Sequence, residues 1–85
     1  MKKRKMDKEI LLSSLYRIHT TEMGTWRIKR NLCLDTNDVI TYCKNKILDE
    51  NSKIYKKGKN WYCYVDNIKI TINASSYTII TAHII

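Results

Sequence analysis

The apolar residues of this chain change period once, near residue 51, and that change decides what it can fold into. Beyond it hydrophobic side chains alternate: Ile54; then Trp61, Cys63 and Val65; then Ile68, Ile70 and Ile72; then Ile80, Ala82 and Ile84. A period of two belongs to strands with one covered face, whereas the spacing before residue 51 belongs to amphipathic helices. Helices followed by strands predict an α+β domain, with three N-terminal helices packed on one face of a four-stranded antiparallel β-meander. The 85 residues allow one such domain, over 7–85, behind a basic tail at 1–6. That length excludes a multidomain enzyme or a dinucleotide-binding fold, and leaves little apolar material for a deep ligand pocket.

Within the helical half, Ile10, Leu11, Leu15 and Ile18 predict a first helix over 7–18, with Asp7 and Glu9 at the positive end of its dipole. His19-Thr20-Thr21-Glu22 supplies hydroxyl caps for a second helix, on which Met23, Trp26, Ile28 and Leu32 populate one side. Gly24 interrupts that helix at a cost of about 1 kcal/mol against alanine, which points to a close packing contact or an approaching ligand. Val39, Ile40, Cys43 and Ile47, preceded by Asp35-Thr36-Asn37-Asp38, predict a third helix over 36–48. Lys57-Gly58-Lys59, Asp66-Asn67 and Ala74-Ser75 are short enough for hairpin connections.

Formal charge is +8 and unevenly placed. Lys2, Lys3, Arg4 and Lys5 lie in the tail, read as a solvated end; the second half carries five lysines against the single acid Asp66. Three widely spaced cysteines, Cys33, Cys43 and Cys63, fit reduced thiols in a core better than a disulfide frame. Neither C-x-x-C nor H-x-x-x-H occurs, so no metal and no cofactor are expected. The basic start runs into Asp7, Lys8 and Glu9 instead of an apolar signal core, and no stretch approaches the ~20 apolar residues of a membrane span. A cytoplasmic protein that does not enter the membrane is the expectation.

If Trp61, Cys63, Val65, Ile68, Ile70, Ile72, Ile80 and Ala82 turn toward the helices, alternation leaves Tyr62, Tyr64, Lys69, Thr71, Asn73, Thr81 and His83 on the opposite face. Lys53, Tyr55 and Lys57 extend that face from the first strand, and Lys56 and Lys59 flank its turn. Cations neutralise phosphates, aromatic rings stack on bases, and hydroxyls or amides bond sugars and base edges, so the combination suits RNA. Tyrosine and threonine are also ordinary on an open sheet face, and lysine protects edges. Both readings stand at this point. His83 reads either as a proton carrier or as a simple exposed histidine; His19 as a proton carrier or a capping residue; Arg27, beside Lys29 and Arg30, as a phosphate ligand or part of a solvated stripe.

The segments H-T-T-E-M-G at 19–24, R-I-K-R-N-L at 27–32, G-K-N-W-Y at 58–62 and I-T-I-N-A-S-S-Y-T-I-I-T-A-H at 70–83 resemble a family of small uncharacterised bacterial proteins. More distantly, helices followed by a four-stranded sheet whose last strand reads S-x-x-I-I-T-A-H resemble the barnase, EndoU, colicin and RelE superfamily of metal-independent ribonucleases. That resemblance implies a toxin-like domain acting on tRNA or mRNA through its open sheet face, with His83, Thr81, Tyr77, Thr71, Lys59, His19 and Arg27 as the positions to test. Such cleavage needs a base for the ribose 2′-hydroxyl, an acid for the leaving 5′-oxygen and a cation beside the developing phosphorane. His83 suits acid or base, Lys59 or Arg27 the phosphate, Tyr62 or Tyr64 a stacked base, with Lys57, Lys69 and Asn73 as further RNA contacts; the second proton carrier falls to His19 only if its junction folds toward the open face. A different class of function is also open: a non-catalytic inhibitor or adaptor using the same face against another protein, for example a nucleic-acid enzyme such as a CRISPR nuclease. The protein partner is then an antitoxin on the toxin-like reading or the nuclease target on this one.

Overall fold

The computed structural model describes residues 7–85; the basic tail lies outside the described residues. Three α-helices precede four strands: α1 (Asp7–Ser13), α2 (Glu22–Leu32), α3 (Val39–Leu48), β1 (Lys53–Lys57), β2 (Asn60–Val65), β3 (Ile68–Asn73) and β4 (Ile79–Ile84), with a 3₁₀ turn at Leu15–Arg17 after α1. The sheet runs in the order β1-β2-β3-β4 and every neighbouring pair is antiparallel. α1 packs on β1, α3 on β2 and α2 on β4, which makes the α+β arrangement of helices on one sheet face read from the apolar periods.

α1 stops five residues before the periodicity does. Ser13 Oγ donates back to Glu9 O (2.8 Å) and Ile10 O (3.0 Å), and the chain tightens into the 3₁₀ turn before Ile18 extends. Serine hydroxyls compete in this way with the helical ladder. Ile18 is still buried, but it reaches the core from an extended segment.

Thr21 caps α2, accepting the Gly24 N–H at 3.0 Å. At the other end Cys33 takes the left-handed conformation (φ 54°), and the Cys33 and Leu34 N–H groups return to Arg30 O and Lys29 O, a Schellman ending with cysteine where glycine is usual. The buried side of α2 is Gly24, Ile28 and Leu32. Met23 and Trp26, expected on that side, are instead 69% and 70% exposed, because the close approach at Gly24 sets the rotation of the helix. A Cβ at position 24 would overlap Thr20 Oγ1, so the glycine answers to packing. α3 begins at Val39 rather than 36: Thr36 Oγ1 holds the Asp38 N–H in a turn, and Asp38 becomes the cap, accepting from Thr41 N (3.2 Å) and Thr41 Oγ1 (2.8 Å). Those Thr41 bonds hold the Asp38 carboxyl below its ordinary pKa.

The β1–β2 connection is Gly58-Lys59, with Gly58 at φ 61°, and β2–β3 is Asp66-Asn67 at φ 49° and 62°, the pair of positive values that a type I′ turn requires. The β3–β4 connection is longer than the Ala74-Ser75 expected. Asn73 Oδ1 accepts from Ser75 N, Ser76 N and Ser76 Oγ, and Tyr77 sits at φ 58°.

Leu11, Ile28, Ile47, Ile70, Ile72 and Ile79 are among the fully buried side chains at the centre of the core. One strand departs from simple parity. Thr71 faces Thr81, yet Ile72 faces Ile79, so Ile80 is an extra residue in β4. This bulge turns Ile79 inward (1% exposed) and leaves Ile80 at 39%, the reverse of the alternation read from the sequence. Of the cysteines, Cys43 and Cys63 are buried, and burial pushes their thiols up to about 12 and about 11; Cys33 is exposed, contrary to the expectation of three core thiols.

Both sheet edges receive help from the helical half. Asp7 Oδ2 accepts the Lys56 N–H on β1 (2.9 Å), while Lys8 Nζ donates to Asp49 O, Glu50 O and Ser52 O, filling all three of its donors. Against β4, His19 O accepts the Ile79 N–H (2.7 Å) and Thr20 Oγ1 donates to Ile79 O (2.9 Å).

Candidate functional site

Antiparallel register aligns the solvent-facing side chains into rows across the sheet. One row is Lys53, Tyr64, Lys69 and His83, one residue from each strand; the next is Tyr55, Tyr62, Thr71 and Thr81. Two positions along each strand separate the rows, about 6.6 Å. No acid belongs to either row. Asp66, the nearest acid in sequence, sits at the β2–β3 turn and pairs with Lys46 at 2.7 Å, which raises the Lys46 pKa.

The aromatic rings and cations are interleaved. Lys69 Nζ lies 4.9 Å from the Tyr62 ring centroid and 5.7 Å from that of Tyr64, and Tyr55 meets Tyr64 edge-to-face at 6.2 Å. Asn60 Nδ2 donates to the Tyr62 hydroxyl at 3.3 Å. Two shallow depressions result, one lined by Lys53, Tyr55, Lys57, Tyr62 and Tyr64, the other by Lys57, Tyr62, Tyr64 and Lys69. They share three residues and form one continuous open surface. Lys53, Tyr55 and Lys57 are exposed; Tyr62, Tyr64, Lys69, Thr81 and His83 are half-buried; Thr71 is buried beneath them.

The family model described as "Protein of unknown function (DUF3781)" matches residues 12–83. The chain belongs to that family. Comparison with curated proteins and with solved structures gives no match. Nothing in these comparisons links the chain to the barnase, EndoU, colicin and RelE ribonucleases. The matched span contains both rows of the open face from Lys53 to His83, as well as His19, Arg27 and Tyr77.

Of the residues singled out from the sequence, the register brings Tyr62, Tyr64, Lys69, Thr71, Thr81 and His83 together, and Lys57 joins them at the depressions. Others are placed elsewhere. His19 pairs with Thr78 at the start of β4: its Nδ1 bonds the Arg17 carbonyl (2.9 Å) and its Nε2 the Thr78 hydroxyl (3.0 Å). A carbonyl only accepts, so Nδ1 donates to Arg17, and Nε2 is engaged by the Thr78 hydroxyl. Thr78 is five residues from His83 along an extended chain, about 16 Å at strand rise, so the two imidazoles do not share a site. Tyr77 is buried with the Arg17 guanidinium 4.3 Å over its ring, so its face is already taken. Arg27 is exposed on α2 in the helical layer, grouped with Met23, Trp26 and Arg30. Lys59 stands at the β1–β2 hairpin tip, where its carbonyl accepts the Ala74 N–H (2.8 Å), and the Asn73 side chain is committed to the β3–β4 loop.

The Arg17–Tyr77 stack and the His19–Thr78 link carried no signal in the sequence, since both join segments about sixty residues apart. Among the described residues, no group of three or more His, Cys, Asp and Glu gathers to hold a metal ion. No helix of the described residues is long and apolar enough to cross a membrane.

Proposed function

We propose that the open sheet face binds single-stranded RNA, with Tyr55, Tyr62 and Tyr64 stacking bases and Lys53, Lys57 and Lys69 neutralising phosphates. The observation that carries this reading is the interleaving of three tyrosines and three lysines on one acid-free surface, continuous across two open depressions. Stacking on an aromatic ring contributes about 1–3 kcal/mol per base and tolerates any sequence, while lysines along the track supply salt-dependent attraction. Fluorescence anisotropy with labelled oligouridine tests it. Replacing Tyr62 and Tyr64 together by alanine is expected to weaken binding by at least tenfold; affinity unchanged by that double substitution removes the proposal.

Cleavage is a second reading, favoured by one juxtaposition: His83 lies directly across from Lys69, an imidazole beside a cation on the binding face. Transfer of the ribose 2′-proton and protonation of the leaving oxygen ask for two proton carriers. His19 is engaged with Arg17 and Thr78, which leaves the Tyr64 phenol, in the same row, as the other proton-bearing group. This inventory favours binding over turnover. Incubation of tRNA or mRNA with the protein in EDTA decides the point: cleavage abolished by His83→Ala supports the enzyme, and intact RNA dismisses it without affecting the binding proposal.

A further inference from the structure

α2 turns toward solvent side chains of a kind that usually lie inside. Met23 and Trp26 are more than two-thirds exposed on a helix whose inward side is Gly24, Ile28 and Leu32. Met23, Trp26, Arg27 and Arg30 fall at i, i+3, i+4 and i+7, one stripe along the helix, and line a common groove. A second groove flanks the indole on its other side, between α2 and Asn37, so Trp26 stands as a ridge between two depressions. Lys29 in that second groove is bonded to Asn37 Oδ1. Arg27 and Arg30 have no ion pair among the described residues, where Lys46 with Asp66 is the one such pair.

We propose that this stripe docks an acidic amphipathic helix of a protein partner. Tryptophan, methionine and arginine concentrate at the centres of protein interfaces, and tryptophan and arginine most often dominate their energetics. Spacing at i, i+3/i+4 and i+7 suits a helix laid lengthwise, its apolar side chains covering Met23 and Trp26 while its carboxylates meet the two guanidinium forks. The sign of the partner follows from charge: the Met23, Trp26, Arg27 and Arg30 groove presents two unpaired guanidiniums and no carboxylate, and the flanking groove adds Glu22 against Lys29, so the surface keeps a net positive charge that repels a basic helix. α2 has 11 residues, about 16 Å, enough for roughly three turns of partner helix. Nucleic acid fits this stripe less well than it fits the sheet, because a single ring beside a thioether gives no track for successive bases.

The test uses the full chain and two synthetic helical peptides of about 14 residues, long enough to span α2 with a frayed residue or two at each end, one patterned with leucine and glutamate, the other with lysine in place of every glutamate. Trp61 is buried, so a change in indole emission reports Trp26. The acidic peptide is expected to shift that emission to the blue and the basic peptide to leave it unmoved. In anisotropy with labelled acidic peptide, Trp26→Ala, and separately Arg27→Glu with Arg30→Glu, are expected to weaken binding about 30-fold, as interface anchors do. These sites are exposed, so the variants keep the wild-type circular dichroism; Tyr62→Ala with Tyr64→Ala leaves peptide affinity unchanged. Equal binding of both peptides, indifference to the arginine reversal, or a blue shift produced by oligouridine or by raising protein concentration alone would each overturn the proposal, the last by naming a second copy as the occupant.

Discussion

Replacing Gly24 by alanine sets helix propensity against packing, and the structure says which wins. Propensity favours alanine by at most about 1 kcal/mol. Against it, the new Cβ overlaps Thr20 Oγ1 and presses on Thr21 Oγ1 at 3.3 Å. Thr20 Oγ1 donates to the carbonyl of Ile79, a residue 1% exposed, and Thr21 Oγ1 is the α2 cap. Rotating Thr20 out of the way loses a bond of about 0.5–1.5 kcal/mol and leaves a buried carbonyl without that donor, about 1–3 kcal/mol in such cases. The expected net effect is a destabilisation of about 1–3 kcal/mol, or roughly 4–8 °C in Tm for each kcal/mol in a domain of this size. Urea midpoints measure it, and a second background isolates the cause. With Thr20→Ala already in place, Gly24→Ala is expected to be neutral or mildly stabilising. A wild-type background in which alanine stabilises, or an identical effect in both backgrounds, refutes the argument that Thr20 excludes a side chain at 24.

Thiol chemistry divides the cysteines: in the native chain Cys33 alone is expected to react rapidly with a disulfide reagent, Cys43 and Cys63 following only on unfolding. Because the fold raises the two buried thiols from an ordinary 9.0 to about 12 and about 11, it favours their protonated forms; that stability is fully present below pH about 9 and is lost as pH rises toward 11–12, so the urea midpoint falls through this window and falls less steeply in Cys43→Ala. For RNA binding, each phosphate contact by Lys53, Lys57 or Lys69 contributes about 0.7 to the slope of log affinity against log salt, and alanine at all three is expected to flatten it by about 2; an unchanged slope excludes these lysines as phosphate contacts. At the β2–β3 turn, Asn67→Gly is expected to leave the fold intact or slightly more stable, whereas Asp66→Val, a branched side chain at φ 49°, lowers stability by about 1–2 kcal/mol in thermal melts.

Strand content and the β1–β2 and β2–β3 turns were legible because they follow from short-range rules, whereas the β3–β4 loop runs longer than the Ala74-Ser75 turn read there. Alternation over Trp61–Val65 and Ile68–Ile72 placed side chains correctly, and Asp66-Asn67 was a turn by composition. Parity failed after Thr71, where the Ile80 bulge moved Ile79 into the core: in I-I-T-A-H both isoleucines satisfy the hydrophobic pattern, and the choice rests on pairing with β3 and His19. Met23 and Trp26 misled for a related reason. Apolar residues at helical spacing indicate a core side when burial sets the rotation, but here the fit of Gly24 against Thr20 sets it. Most of the open face was readable from the same alternation, since His83 and Thr81 lie beyond the bulge and keep their register with Lys69 and Thr71. His19 and Tyr77 were not, because their surroundings are made by contacts between distant segments, while Arg27 lies among its own helix neighbours on the exposed side of α2, away from the sheet face.

The central claim is that RNA lies on the tyrosine and lysine rows, and residue-resolved NMR during titration with oligouridine in EDTA addresses it directly. The expected amide shifts cluster at Tyr55, Tyr62, Tyr64, Lys69 and His83 and leave the exposed side of α2 still. Shifts confined to Trp26, Arg27 and Arg30, or none at saturating oligonucleotide, would contradict it.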